Sequence, residues 1–226
     1  MTSIRHTLSE LQTEPVSGLS YRLRTPAPAR PTKLLVLLHG VGSNETNLLD
    51  LASGVDPDTL VAFGRGPLQM GPQQFAWFRV MFTPSGPQIV PEEAEHSRKL
   101  LITLLQQLQQ QHGIAPKGSV VAGFSQGGIM SASVALSSPE SVRGFAILSG
   151  RILPELEPQV ASNARLASLR AFVGHGDYDS KLPVHWAERS DALLKARGVI
   201  HESHRYPIDH GISAEMHADF VRWLAG

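Results

Sequence analysis

The chain has 226 residues, with 20 Lys and Arg against 20 Asp and Glu, 42% hydrophobic residues and no cysteine. That length suits one large α/β domain better than two, and the balanced charge leaves no basic footprint for nucleic acid. The missing cysteines exclude disulfides, thiolate catalysis and Cys-based zinc sites, and they are compatible with a reducing compartment.

Residues 1–14 mix Arg5, His6, Glu10 and Glu14 with isolated apolar positions, unlike the continuous apolar segment of a signal peptide. No later run approaches the roughly 18 apolar residues of a membrane span. A soluble, cytoplasmic protein without stable membrane insertion is therefore expected. Tyr21 to Thr25 alternates weakly, as an edge strand would, before Pro26, Pro28 and Pro31 break the pattern. Leu34 to Leu38 is continuously apolar, the signature of a strand buried on both faces. It leads into His39-Gly40-Val41-Gly42-Ser43-Asn44, where Asn44 is expected to cap a helix through Ser53, closed by Gly54. Thr59 to Phe63 reads as the next strand.

Between Gly66 and Pro91 the periodicity fails, Gly and Pro recur, and Phe75, Trp77, Phe78 and Phe82 form an aromatic patch. A loop of this length inside a compact domain is usually functional or disordered, and the aromatics argue against disorder. Pro91, Glu92 and Glu93 suit the start of a helix that runs to His112 and stops at Gly113, with Leu100, Leu101, Leu104, Leu105 and Leu108 as its buried stripe.

Next comes the most informative stretch, Ser119 to Ser131. Val120, Val121 and Ala122 form a strand, Gly123-Phe124-Ser125-Gln126-Gly127-Gly128 a sharp turn, and Ile129 to Ser131 the opening of a helix. Gly-x-Ser-x-Gly in that context is a nucleophile elbow: the two glycines let strand and helix approach, and the turn lifts the serine hydroxyl clear of the sheet. Gly144 to Leu148 is a further strand, whereas the proline-containing stretch 151–169 has no readable pattern. Arg170 to Val173 is a strand ending in Gly174-His175-Gly176-Asp177-Tyr178-Asp179, and His185 to Arg197 a helix stopped by Gly198. Val199 to Tyr206 is the last strand, followed by Asp209-His210-Gly211 and a helix capped by Ser213 that runs through Leu224. Strands alternating with helices predict a mostly parallel, doubly wound sheet, whose ligands bind at the carboxyl ends of the strands. His39, Ser125, Asp177, Asp179 and His210 all fall at such ends. Among the later histidines, His201 and His204 lie within a strand pattern and His217 within a helix, which leaves His210 on a loop.

Several of these segments together resemble the small phospholipase/carboxylesterase branch of the α/β-hydrolases, which includes the acyl-protein thioesterases. They are Leu38-His39-Gly40-Val41-Gly42, Gly66-Pro67-Leu68-Gln69, Ala76-Trp77-Phe78, the Ser125 hexapeptide, His175-Gly176-x-x-Asp179-x-x-Leu182-Pro183 and His210-Gly211. The likeness extends from about Lys33 onward; Leu182 stands where the pattern often has Val, and Gly211 where Ser often follows the histidine. It implies an α/β-hydrolase fold with helices on both faces and no large cap domain, in a single domain spanning 1–226. It also implies Ser125 as nucleophile, His210 as base and Asp179 as the acid that orients it. Asp177 then reads as a turn former, and Asp209 is too close in sequence to fold back on its neighbour's ring. The oxyanion would be held by the backbone amides of Val41 and Gln126, with His39 locking the glycine loop, while Trp77 and Phe78 are candidates for the acyl pocket.

No His-Glu-x-x-His or comparable pair is present, so neither a metal nor a cofactor is expected. The implied activity is hydrolysis of small to medium acyl esters through an acyl-enzyme. The alternatives are a thioesterase or lysophospholipase acting on long acyl chains and, in another class, a non-catalytic binding protein on a hydrolase fold. The expected partner is a small-molecule ester or thioester; a homodimer is compatible with the sequence.

Overall fold

The computed structural model describes residues 7–83 and 86–226, with the backbone alone for 82, 83 and 86. Its strands are Thr7–Leu8 (β1), Gln12–Thr13 (β2), Ser20–Thr25 (β3), Lys33–Leu38 (β4), Thr59–Gly64 (β5), Leu68–Gly71 (β6), Gln74–Ala76 (β7), Val80–Thr83 (β8), Gly86–Ile89 (β9), Ser119–Phe124 (β10), Gly144–Leu148 (β11), Arg170–Gly176 (β12) and Ile200–Tyr206 (β13). Among the described residues, nine of them form one sheet in the order β1-β3-β5-β4-β10-β11-β12-β13, with β2 also paired to β3. From β5 to β13 the neighbours are parallel; β3 joins β5 antiparallel, as β1 and β2 join β3.

The helices Pro91–His112 (α1), Gln126–Ser137 (α2), Asn163–Leu166 (α3), His185–Arg197 (α4) and Ala214–Ala225 (α5) complete the layers. Strand β4 explains how they are held. Its side chains alternate, so Leu34, Val36 and Leu38 pack with Leu101, Leu104, Leu105 and Leu108 of α1 and with Leu194 of α4. Leu35 and Leu37 enter the opposite core with Leu51, Phe172 and the Met216, Phe220 and Trp223 face of α5. An uninterrupted apolar run was thus required because both faces are covered. Each such leucine contributes about 2 kcal/mol by leaving water. No helix among the described residues is long and apolar enough to cross a membrane.

Three expectations are corrected. Ser20–Thr25 is not an edge strand, because it is bonded to β5 on one side and to β1 and β2 on the other. No α-helix spans 44–53; that segment turns and ends in a short 3-10 helix, Asp50–Ala52. The Asn44 carboxamide accepts instead from the amide and hydroxyl of Thr46, a local turn that competes with helix formation. Buried Arg24 meanwhile takes the carbonyls of Ala52, Val55, Asp56 and Thr59. Finally, the stretch 66–91 is not a bare loop but two hairpins, β6–β7 and β8–β9. Phe75, Trp77 and Phe78 are buried in it, and the Phe82 side chain lies outside the described residues.

Glu45, only 2% exposed, ties the segment after β4 to the antiparallel side of the sheet. Arg22 Nε donates to it at 2.9 Å and Arg65 donates through Nε and Nη2 at 2.6 and 2.7 Å. Burial alone would raise this carboxyl, but the bonds from Arg65 and Arg22 outweigh it and hold its pKa at about 2. The folded value lies below the unfolded one, so the stabilisation is complete above the ordinary glutamate range and is lost as the pH falls towards 2. Glu45→Gln should destabilise the protein by about 3 kcal/mol at pH 7, because two guanidinium groups lose their charged partner. Urea unfolding of the two proteins from pH 7 downward should show the gap closing towards pH 2.

Candidate active site

Strand β10 delivers the chain to Ser125, whose φ of 53° and ψ of −116° lie outside the regions an L-residue prefers. The strain persists because the surroundings over-determine it. Ser125 N donates to Leu148 O at 2.8 Å, and a Cβ on Gly127 would fall 1.9 Å from Leu38 O. Only a glycine lets α2 sit that close to β4. The Ser125 hydroxyl is 3.0 Å from His210 Nε2, and His210 Nδ1 is 2.8 Å from Asp179 Oδ2. The structure therefore brings Ser125, His210 and Asp179 into one hydrogen-bonded chain, drawn from the ends of β10, β12 and β13.

Asp179 is buried, and its other oxygen accepts from the amides of Lys181 and Leu182 at 2.9 and 2.7 Å. Beneath it, fully buried His175 donates from Nε2 to Leu182 O at 2.7 Å and lies 3.3 Å from Asp179 Oδ2. Burial pushes the His175 imidazole down, against the pull of that bond and of Asp179. The other two acidic residues in this region have different duties. Asp177 pairs with Arg205 at 2.6 Å on the exposed side. Asp209 accepts from the amides of Ser180 and His210, both at 2.7 Å, and so latches the Asp179 turn to the His210 turn. A second latch is Ser149, at a φ of 49°, whose hydroxyl donates to Gly211 O at 2.8 Å.

The amides of Val41 and Gln126 have no protein acceptor among the described residues. The loop that carries Val41 is fixed by His39. Gly66 N donates to His39 Nε2 at 3.0 Å, so the ring proton sits on Nδ1, 2.7 Å from Gly40 O. Burial pushes the His39 pKa down to about 4, only partly opposed by the Gly40 bond and by the charge of Glu45.

Above Ser125 lies a cleft of about 740 Å³. Phe78, Val80, Ile89, Phe124, Ile129 and Trp186 give it an apolar wall, and Val41, Gln126 and His210 also border it. Trp77 does not. Its ring is completely buried, with the indole N–H donating to His39 O at 3.0 Å, so the expectation that it lines the pocket is corrected. Two side chains carried more than the sequence suggested. The Gln126 carboxamide accepts from Trp77 N and donates to Phe78 O, both at 2.7 Å, which pins the aromatic segment to the elbow. Arg151, from the stretch without a readable pattern, lines the cleft; only its position two residues past a strand-ending serine could have flagged it. Among the described residues no three His, Asp or Glu side chains gather as a metal site requires.

Comparison with known proteins agrees with this architecture. Residues 25–225 match the family model for phospholipase/carboxylesterase. Acyl-protein thioesterase 1 of Kluyveromyces lactis is 27% identical over 222 residues, covering 90% of this chain and 96% of that protein. The carboxylesterase of Mesorhizobium loti superposes with a TM-score of 0.80 at 23% identity, over 96% of this chain and all (100%) of that one. The carboxylesterase of Bacillus cereus gives 0.77 at 21% identity, over 92% and 93%. At these identities the two structures speak for the fold, an α/β-hydrolase sheet with no large cap among the described residues.

The neutral His39 makes the fold acid-sensitive. Its folded pKa lies below the unfolded value of 6.5, so the unfolded chain binds more protons between pH 6.5 and about 4 and stability must fall as the pH drops through that window. A shift of this size corresponds to about 3 kcal/mol, and His175 adds in the same direction. Denaturant titrations at half-unit pH steps should show this decline in the wild type and a shallower one in His39→Gln.

Proposed function

The chain belongs to the phospholipase/carboxylesterase family of serine hydrolases, and on that premise we propose that it hydrolyses carboxylic esters of small to medium acyl groups through Ser125, His210 and Asp179. The observation that carries the reading is the unbroken Ser125–His210–Asp179 chain at the floor of an apolar cleft. His210 Nε2 accepts the Ser125 proton as Oγ attacks the acyl carbon, and Asp179 keeps the imidazole proton on Nδ1 and supports the imidazolium that forms. The tetrahedral oxyanion is received by the Val41 and Gln126 amides, whose hydrogen-bonding capacity is unspent and whose loops are already fixed. His210 then returns the proton to the departing alkoxide, leaving an acyl-Ser125 ester. In the second half a water loses its proton to His210 and attacks the same carbonyl, and His210 returns that proton to Ser125 Oγ as the carboxylic acid departs. The reading keeps the chain as a single catalytic domain.

A second reading, a thioesterase acting on longer acyl chains, is favoured by the Kluyveromyces lactis relative and by an open cleft walled by Phe78, Phe124 and Trp186. Both use the same residues and differ in leaving group and chain length. Nitrophenyl esters from acetyl to palmitoyl separate them: a kcat/KM optimum at or below octanoyl is expected, and an optimum at palmitoyl would favour the second reading. In the same assay Ser125→Ala and His210→Ala should each lose about 10³-fold or more, and the double variant little beyond either. Asp179→Asn should fall steeply. Asp177→Asn, which disturbs only the surface pair with Arg205, should stay within about twofold; the opposite ranking would reassign the acid.

A further inference from the structure

Arg151 stands out among the charged side chains. It is 4% exposed, yet no hydrogen bond or ion pair joins its guanidinium to any described residue, and its Nε is wholly enclosed without a partner. The guanidinium lies over the face of Trp186, with Cζ 4.3 Å from the ring centroid. Burial lowers its pKa, the charge of Glu155 opposing that shift and the charge of Arg189 adding to it. Even so, a guanidinium stays protonated in proteins. Stripping water from such a cation costs more than a desolvated cation–π contact returns. A deficit remains, and the group lines the same cleft as Ser125 and His210.

The surroundings specify what would offset it. Among the described residues no Asp or Glu lines this cleft, while Lys181 and His185 do, beside the apolar wall. Arg151 follows directly on Gly150, which is packed so closely on the elbow that a Cβ there would lie 2.8 Å from Ser125 O. The next amide, Ile152 N, is anchored to Ser190 Oγ at 3.2 Å, and Trp186 O takes that hydroxyl's proton at 2.9 Å, so cation and ring are held on one bonded frame.

We propose that Arg151 is a specificity-determining residue that binds a carboxylate or phosphate group carried by the ester substrate, so that the protein prefers anionic esters to their uncharged counterparts. This deepens the hydrolase reading and rests on it for the word substrate, but not for the anion site itself. A planar guanidinium presents paired donors matched to two oxygens, and a charge-assisted pair is stronger than a neutral one. A bond of this kind, at about 1.5–3 kcal/mol, corresponds to roughly a tenfold to hundredfold preference.

The experiment compares kcat/KM, after subtraction of the spontaneous rate, for nitrophenyl hemiglutarate against nitrophenyl valerate, and for 4-carboxyphenyl butyrate against 4-carbamoylphenyl butyrate. The two pairs put the anion on the acyl and on the alcohol side. The ratio within a pair cancels any general loss of activity. The wild type should favour the anionic member of one pair about tenfold or more, Arg151→Met should bring that ratio close to one, and Arg151→Lys should fall between. In parallel, calorimetry on Ser125→Ala titrated with glutarate, inorganic phosphate and neutral glutaramide should show binding of one anion and not of the amide, lost on adding Arg151→Met; which anion binds identifies the group. Ratios near one in the wild type for both pairs, or a preference unchanged in Arg151→Met, would overturn the proposal while leaving the hydrolase reading intact if the uncharged esters turn over. Arg151-dependent anion binding with no ester turned over would instead uphold the site and sink the hydrolase reading.

Discussion

Helix α2 lies against the end of strand β4 at a distance that tolerates no side chain, and most of the site descends from that contact. A Cβ on Gly127 would sit inside the Leu38 carbonyl, and one on Gly123 would fall 2.3 Å from Gly127 itself. With the helix pressed down so far, the chain can pass from β10 into α2 only through a residue with positive φ, and Ser125 occupies it. The strain of that residue, on the order of 1–3 kcal/mol, is carried by the two cores that fix β4 and β10. The same closeness brings the first helical amide, that of Gln126, next to the loop after β4. The placements of Ser125 and of the Gln126 amide are thus consequences of one packing distance.

The remaining side chains are held by connections across the carboxyl edge of the sheet. A mobile turn could not keep the Asp179 carboxylate on the His210 imidazole. Its Oδ1 is spent on two amides of its own turn, and Asp209 bonds that turn to the one carrying His210. Ser149 links the end of β11 to Gly211 on the far side of the histidine. His210 is therefore braced from both chain directions before its ring makes any contact, which lets the ring keep its place between Asp179 and Ser125 with little left to lose in ordering.

What the sequence disclosed divides along physical lines. The two-sided burial of 33–38, the elbow and the capped helices were legible because each imposes a local pattern: an unbroken apolar run, glycines around a serine, Pro91 and Gly113 at the ends of α1. The Ser125–Asp179–His210 set was legible through the resemblance and the strand-end positions. What could not be read is decided at long range. Asn44 and the residues after it fit a helix locally, but Thr46 takes the Asn44 carboxamide and Arg24, a distant residue of β3, takes the Ala52 carbonyl at the end of the segment. The hairpins within 66–91 are too short and too rich in Gly and Pro to show a period. Trp77 could not be told from a pocket residue, because its direction is set by His39 O on the other side of the loop. Arg151 carries no local signal beyond its place just after a strand end; its meaning depends on which cleft it enters and on what fails to meet it there.

The loop that carries Val41 and the cleft wall share one support. His39 holds Gly40 and Gly66 with its two nitrogens and presents its carbonyl to the Trp77 indole. The Trp77 amide in turn bonds the Gln126 side chain, whose other end holds the Phe78 carbonyl. Residues 39 and 126 therefore position the Val41 and Gln126 amides and, through Trp77, the Phe78 wall that an acyl chain would touch. A change in the wall's backbone cannot be confined to binding, since it reaches the amides through two hydrogen bonds. Selectivity can change more freely at Arg151 and Trp186, which are anchored through Ser190 on α4 and share none of that support. The cleft thus joins a side tied to the chemistry with a side free to vary, and the unpaired cation stands on the free side.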